Sequence, residues 1–473
     1  MMNIKDYYRL FSIDEKLLNE IIAAGMERGG DYCDLFFQHQ SSQYVGLEDN
    51  DVNRAYTDVD MGVGIRVLRG DQTGYSFTEE LTRESMLLAA KTAANIASGT
   101  ANAAPVEFRL YPGKDFYPIP TGWDTVTIDK RIPLVKTLNE KIMSADPRII
   151  KSRIAFTSET RHILIVTSEG RLATDTQPLA YLSAQCVAEQ DGRKEQNGYN
   201  ISGRYGIEHF TPEIIDYAAN EAVRRTVDLF EAVKPNAGEM EVVLAAGGSG
   251  ILLHEAIGHG MEADFNRKKI SIFADMMNKP VARDIVTIVD DGTNPHVRGS
   301  INVDDEGNPA EQTFLVEKGV LRSYMHDRIS ARFYGVQPTG SGRRESFRHA
   351  PLPRMRNTYM LPGPHKREEI IGSVKRGLYA ESFTNGQVYI GAGDFTFYVK
   401  SGYLIENGQL ARPVKDVNII GNGPEVLRNI TMVADDFELD KGGWSCGKEG
   451  QSVPVSLGLP TVKVSSITVG GVN

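Results

Sequence analysis

Two histidines and a glutamate fall within six consecutive residues, His254-Glu255-Ala256-Ile257-Gly258-His259. Neutral imidazole nitrogens are good zinc ligands, and a neighbouring carboxylate can take a proton from a water whose pKa the metal has lowered toward neutrality. The spacing constrains the backbone. Histidines four apart lie about 40° around an α-helix, whereas five apart are rotated by roughly 140°, too far to face one ion. Gly258 and Gly260 flank the second histidine and tolerate local unwinding, so a distorted helix with a π-type bulge is expected here. The flanks imply burial: a strand-like run Met240–Ala245, then Gly247-Gly248-Ser249-Gly250, then Ile251-Leu252-Leu253. Buried polar groups with nothing to coordinate would cost about 1–3 kcal/mol each, and a metal would relieve that cost.

A catalytic zinc usually has three protein ligands and one open position. For the third, residue types offer Glu262, Asp264 and the distant Cys446, and spacing does not choose among them. The chain has three cysteines, an odd number without paired spacing, so no disulfide framework is expected. Cys33 and Cys186 lie in strand-like runs and read as small core residues. Cys446 differs, because Gly442, Gly443, Gly447 and Gly450 surround it with backbone that can bend to present a thiolate.

His254–Phe265 (HEAIGHGMEADF) and Cys446–Pro454 (CGKEGQSVP) resemble the signature segments of the TldD/PmbA metallopeptidases, also called modulators of DNA gyrase. Further similar stretches are Val303–Gly307, Pro338–Ser346, Pro353–Met360, Tyr403–Gly408 and Asn418–Gly423, which cover the C-terminal half almost continuously. The resemblance implies a zinc peptidase with His254, His259 and Cys446 as metal ligands and Glu255 as general base. It implies the metal-bearing type of subunit, working in a two-subunit assembly on unfolded or extended peptides. Such an assembly would be a homodimer or a heterodimer with a metal-free relative.

These residues must be positioned by a chain long enough for two domains. The turn-rich Val233–Gly238 marks the boundary, with a domain over residues 1–235 and a second over 236–473. Ser12-Ile13-Asp14-Glu15 reads as a capping box opening a helix with Leu17, Leu18, Ile21, Ile22 and Met26 on one stripe, ended by Gly29-Gly30. Strands at Cys33–Gln40 and Gly62–Leu68 and a helix at Leu81–Ser98 follow. Helix, strands, helix then recurs from Asp129 to Ala232, an order compatible with an internal duplication or with convergent layering. The C-terminal part is strand-rich, with hairpins at Phe314–Leu321 and at Leu404–Leu410, the second carrying the Asn-Gly turn signal. The expected class is α+β, with a mixed α/β N-terminal domain and a β-rich C-terminal domain carrying the metal-binding helix.

Lys plus Arg number 52 and Asp plus Glu 62, for a net charge of −10, which disfavours nucleic acid as a partner. No segment reads as a signal peptide or approaches the ~20 apolar residues of a membrane span, so a soluble, cytoplasmic protein is expected. The densest basic stretch, Arg343, Arg344, Arg348, Arg354 and Arg356, could hold a substrate carboxylate, although salt bridging to acidic surface explains it more simply. Asp290-Asp291-Gly292 and Asp304-Asp305-Glu306-Gly307 lack calcium-loop spacing and read as turns. His326 alone among the other histidines has a context that could bring it to the site. Two rival readings stand beside the metallopeptidase: a non-catalytic binding or regulatory protein with a structural metal site, and a cysteine peptidase built on Cys446.

Overall fold

The computed structural model describes residues 2–101 and 104–471. Its N-terminal half runs α1 (Ile4–Leu10), α2 (Glu15–Met26), β1 (Tyr32–Glu48), β2 (Asp51–Arg69), β3 (Gln72–Thr78) and α3 (Arg83–Ala94). It continues with β4 (Arg109–Leu110), α4 (Ile128–Ala145), β5 (Ile149–Thr167), β6 (Arg171–Gln190), β7 (Arg193–Gly203) and α5 (Pro212–Val227). All seven strands form one sheet of order β3-β2-β1-β5-β6, with β7 and the short β4 both against β6. The helix–strands–helix order therefore recurs on either side of the antiparallel β1–β5 pair. Tight turns at Asp49-Asn50 and Asp191-Gly192 adopt positive φ at both residues, the geometry that matches the twist of the hairpins they close.

Alternation along these strands assigns the two faces. Cys33, Leu35 and Phe37 of β1 pack with Leu18, Ile21 and Ile22 of α2 and with Met86 and Ala90 of α3. Val45 and Leu47, in phase with them, join α4 and α5 through Leu138 and Ala222. Each such aliphatic side chain contributes about 1.5–3 kcal/mol on burial. The opposite face is covered by the C-terminal half, where Phe36, Ile163 and Ile165 meet Val303 and Phe347. Coverage on both sides explains why β1 begins with seven consecutive buried residues instead of alternating.

In the C-terminal half, β8 (Gly238–Leu244), β15 (Arg376–Tyr389), β16 (Asp394–Glu406), β18 (Val417–Asn422) and β24 (Val462–Gly471) close on themselves as β15-β8-β24-β18-β16-β15, a five-stranded barrel. β17 (Gln409–Pro413) and β19 (Ile430–Val433) pair onto it, and α9 (Arg367–Gly372) and α10 (Gly423–Asn429) pack nearby. A second sheet is ordered β11-β10-β9-β14-β23-β20, from β9 (Ile288–Asp291), β10 (Gln312–Glu317), β11 (Val320–Leu321), β14 (Asn357–Met360), β20 (Glu438–Leu439) and β23 (Ser456–Leu459). Two small ribbons complete it, β12 (Gly342–Arg343) with β13 (Leu352–Pro353) and β21 (Ser445–Lys448) with β22 (Gln451–Pro454), together with short helices α6 (Ile251–Leu253), α7 (Ala263–Arg267) and α8 (Arg328–Tyr334). The molecule is an α+β protein with a β-rich C-terminal region. Among the described residues no helix is long and apolar enough to cross a membrane.

Both expected hairpins form, with turns at Lys318-Gly319 and Asn407-Gly408. One expected cap does not. Ser12 sits in a turn at φ 55°, and Asp14 is the residue that caps α2, accepting from the Leu17 amide at 2.8 Å. Asp14 prevails because its carboxylate stands directly before the first helical residue, where the free amides are within reach.

Candidate metal centre

β8 delivers the chain to a sharp reversal at Gly247, whose φ of 82° suits glycine, and then into a continuous but irregular helical segment. A single 3-10 turn precedes α6, a π-helical turn spans His254–Gly258, and a further 3-10 turn spans His259–Met261. The His259 amide bonds the His254 carbonyl, an i→i+5 bond that stacks residues five apart on one face. The expected bulge is thus present where the spacing requires it, and the two rings lie 5.2 Å apart at 84°. The segment is held between barrel and second sheet, where Ile251, Leu253 and Ile257 pack with Phe397, Ile288 and Leu457. Gly250 lies so close to β23 that a Cβ there would stand 2.8 Å from the Gly458 nitrogen, so the glycine-rich turn serves close backbone approach.

Cys446 arrives from the other direction. The expected glycine-hinged loop is a hairpin, β21 and β22, turned by Glu449-Gly450 and pairing Cys446 with Val453. Alternation buries Cys446 and Lys448 on one face and leaves Ser445 and Gly447 exposed. One donor atom from each of His254, His259 and Cys446 falls within 4.8 Å of the others. The Cys446 Sγ to His259 Nε2 distance is 3.5 Å. Zinc–nitrogen and zinc–sulfur bonds of about 2.0 and 2.3 Å at a tetrahedral angle give an edge of about 3.5 Å, so this donor pair fits a shared ion.

Electrostatics point the same way. Burial disfavours the Cys446 thiolate, yet His254 and His259 facing it outweigh that and hold the thiol well below its ordinary range. Burial likewise opposes a charged His259, but Glu262 and Cys446 overcome it and raise its proton affinity well above the usual. The cluster therefore favours positive charge facing the thiolate, whether a proton on His259 or a metal ion. His254 Nδ1 is buried with no hydrogen-bond partner among the described residues, an orphaned polar atom of the kind that a metal site would account for. Glu255 is the least buried member of the motif, with its Oε2 3.8 Å from His259 Nε2.

The other candidates are placed elsewhere. Glu262 accepts from His259 Nδ1 at 3.0 Å and so stands behind the ring, while Asp264 pairs with Lys448 at 2.7 Å. His326 packs its ring against Tyr324 and Tyr334 outside the cluster. The arginines are committed, mostly in the interior rather than on an acidic surface. Arg343 donates to the Met355 and Pro454 carbonyls, Arg344 to Asp34, and Arg356 to Asp290. Arg354 holds the Cys446 carbonyl, and Arg348 alone pairs near the surface, with Asp60 and Glu79. Asp304 folds its own turn by accepting from the Glu306 and Asn308 amides. Residue types did not reveal Lys448 or the role of Glu262; the usable signal was the Glu449-Gly450 turn, which fixes a hairpin with Cys446 and Lys448 in phase.

Family profiles cover most of the chain: the PmbA/TldA metallopeptidase domain 1 over residues 33–97, central domain over 122–230 and C-terminal domain over 237–471. A metalloprotease TldD homolog of Haemophilus influenzae is 40% identical over 454 residues, 94% of each chain. A zinc metalloprotease TldD homolog of Saccharolobus solfataricus is 29% identical, over 94% of this chain and 98% of the relative. The fold matches that of a Thermotoga maritima protein described as a putative modulator of a DNA gyrase, with TM-score 0.77, 22% identity, and coverage of 96% of this chain and 100% of that one. It also matches TldE from Thermococcus kodakarensis, with TM-score 0.75, 16% identity and coverage of 96% and 100%. The chain belongs to the PmbA/TldD metallopeptidase family.

Proposed function

We propose that this protein is a zinc-dependent peptidase acting on unfolded or extended peptides, with His254, His259 and Cys446 holding the ion and Glu255 as general base. The observation that carries the reading is the meeting of three donors from two distant segments within 4.8 Å, with a partly exposed carboxylate beside them. A zinc ion held by His254, His259 and Cys446 would supply a Lewis acid for the scissile carbonyl and lower the pKa of a nearby water. Glu255 takes that proton and returns it to the leaving amine. Arg354 steadies the backbone that carries Cys446.

Three further features support the reading. A structural zinc would need four protein donors, and Glu262 and Asp264, the candidates for a fourth, are engaged by Lys448, which leaves Glu255 beside the cluster as the remaining carboxylate. The three ligand side chains belong to residues only 1–6% exposed, so the surface of a folded substrate could not reach them. The fold shared with a chain described as TldE supports a working unit of two like-folded subunits, either a homodimer or a heterodimer with a metal-free relative. Three unpaired, buried cysteines suit a reducing compartment, consistent with the cytoplasm.

The test pairs elemental analysis with cleavage of a fluorescein-labelled unfolded polypeptide. One zinc per chain, loss of cleavage with a chelator and recovery on adding zinc are expected. Glu255→Gln should keep the zinc and lose about 10²–10⁴-fold in turnover. Bound zinc without any cleavage would instead indicate a binding protein, and cleavage indifferent to chelators a cysteine peptidase.

A further inference from the structure

Lys448 follows Cys446 by two residues in β21, so both side chains leave the hairpin on the same face, toward the histidine helix. Its ammonium is buried and spends its donors on three acceptors: Asp264 Oδ1 at 2.7 Å, the Pro353 carbonyl at 3.1 Å and Glu262 Oε2 at 3.2 Å. That same Glu262 oxygen lies 3.0 Å from His259 Nδ1. A path of close contacts thus runs from one donor segment to the other, His259 to Glu262 to Lys448 and back along β21 to Cys446. Three buried charges are a poor device for stability, since well-packed apolar residues of similar volume commonly do as well or better. Their arrangement, by contrast, suits orientation. A neutral histidine can carry its proton on either nitrogen, and an acceptor at Nδ1 fixes the tautomer that leaves Nε2 free for a metal.

We propose that Glu262 and Lys448 are positioning residues of the metal centre: Glu262 aims His259 Nε2 at the ion, and Lys448 clamps the cysteine hairpin to the histidine helix in the register that brings Sγ to the same point. This rests on the metal-centre reading above, and it concerns assembly of the site rather than the hydrolytic step.

The experiment measures zinc affinity by competition with a chromophoric chelator, and the sulfur-to-cobalt charge-transfer band of the Co²⁺-loaded full chain. The variants are Glu262→Leu, Glu262→Gln, Lys448→Met and Lys448→Arg, with the metal-free melting temperature of each as a fold control. Glu262→Leu should lower zinc affinity about 10–100-fold, while Glu262→Gln, which keeps an oxygen for Nδ1–H, recovers most of it. Lys448→Met should weaken the charge-transfer band, and Lys448→Arg should retain it. Rescue by the conservative variants separates positioning from folding, because a general loss of structure would not return with one oxygen or one cation. Should Glu262→Leu and Lys448→Met bind zinc as tightly as the parent with the same cobalt spectrum, or lose affinity with no rescue, the positioning role is wrong. A parent chain that binds neither metal would overturn the metal-centre reading itself, a result distinct from parent and variants binding alike.

Discussion

Gly258→Ala tests how tightly the π turn is locked. At φ −58° the backbone accepts alanine without strain, and intrinsic helix propensity favours the change by up to about 1 kcal/mol. Packing opposes it. An added Cβ would stand 2.1 Å from Met355 Sδ and 3.2 Å from its methyl carbon, and Met355 is fully buried in the core around the metal helix. Overpacking of this kind costs about 1–3 kcal/mol, so after the propensity gain the net loss should be up to about 2 kcal/mol. For a unit the size of the C-terminal half, that lowers the melting temperature by up to about 8 °C. Calorimetry on metal-free protein is the assay, since bound zinc would add its own stabilisation. Either the flexible end of Met355 shifts or the turn that carries His259 gives way, and a fall in metal affinity would report the second. Met355→Ala alone opens a cavity at about 2–5 kcal/mol, but in the double variant the new methyl group occupies vacated space, and the two losses should fall short of their sum by about 0.5–3 kcal/mol. A Gly258→Ala protein as stable as its parent, or strictly additive losses, would refute the argument that this contact fixes the turn.

Two further perturbations probe how the halves are held together and how acid affects them. Arg66 on β2 reaches Asp34 at 2.6 Å and Glu306 at 2.7 Å with all three side chains inaccessible, so Arg66→Met should cost about 3–5 kcal/mol by leaving buried carboxylates without this partner; a calorimetric change below about 1 kcal/mol would contradict it. Burial pushes His326 down to about 4, below its ordinary 6.5. A depressed histidine is neutral in the folded chain while the unfolded chain protonates first. Its stabilisation is therefore complete above about pH 6.5, falls through the window to about pH 4 by about 3 kcal/mol, and changes no further below. His326→Phe should flatten that part of the stability profile relative to the parent, and unaltered slopes between pH 4 and 6.5 would show that His326 is not the responsible group.

The histidine spacing was the most legible feature, because helix geometry allows residues five apart to meet only through a wider turn, and Gly258 and Gly260 announced where it could form. Cys446 was less legible. Residue type alone placed it level with Glu262, and what separates them is phase: Cys446 points forward from a hairpin, whereas Glu262 sits behind His259. Asp14 displaced Ser12 as a cap because both are acceptable residue types and only the onset of the helix chooses. The strands β1 and β2 extend well past the expected Cys33–Gln40 and Gly62–Leu68. The outer part of β2 is exposed or half-buried and carries polar residues, and in β1 a half-buried, mainly polar stretch over 39–44 interrupts the apolar pattern before the buried Val45 and Leu47, so no continuous alternation marks them, and pairing across β1–β2 and β1–β5 holds them instead. The arginine cluster looked like a surface feature in composition. Its burial follows from carbonyl and carboxylate partners contributed mostly by segments remote in sequence, from Asp290 for Arg356 to Asp34 for Arg344, which no local pattern encodes.

The antiparallel seam between β1 and β5 joins the stretches that separate family profiles recognise as a first and a central domain. Neither stretch owns a complete sheet: each would present a raw edge the length of a strand if it were excised. A nick at the exposed Gly113 would accordingly leave two fragments still paired along their backbones, so the stretches matched by the first two profiles share one sheet rather than forming two separate ones.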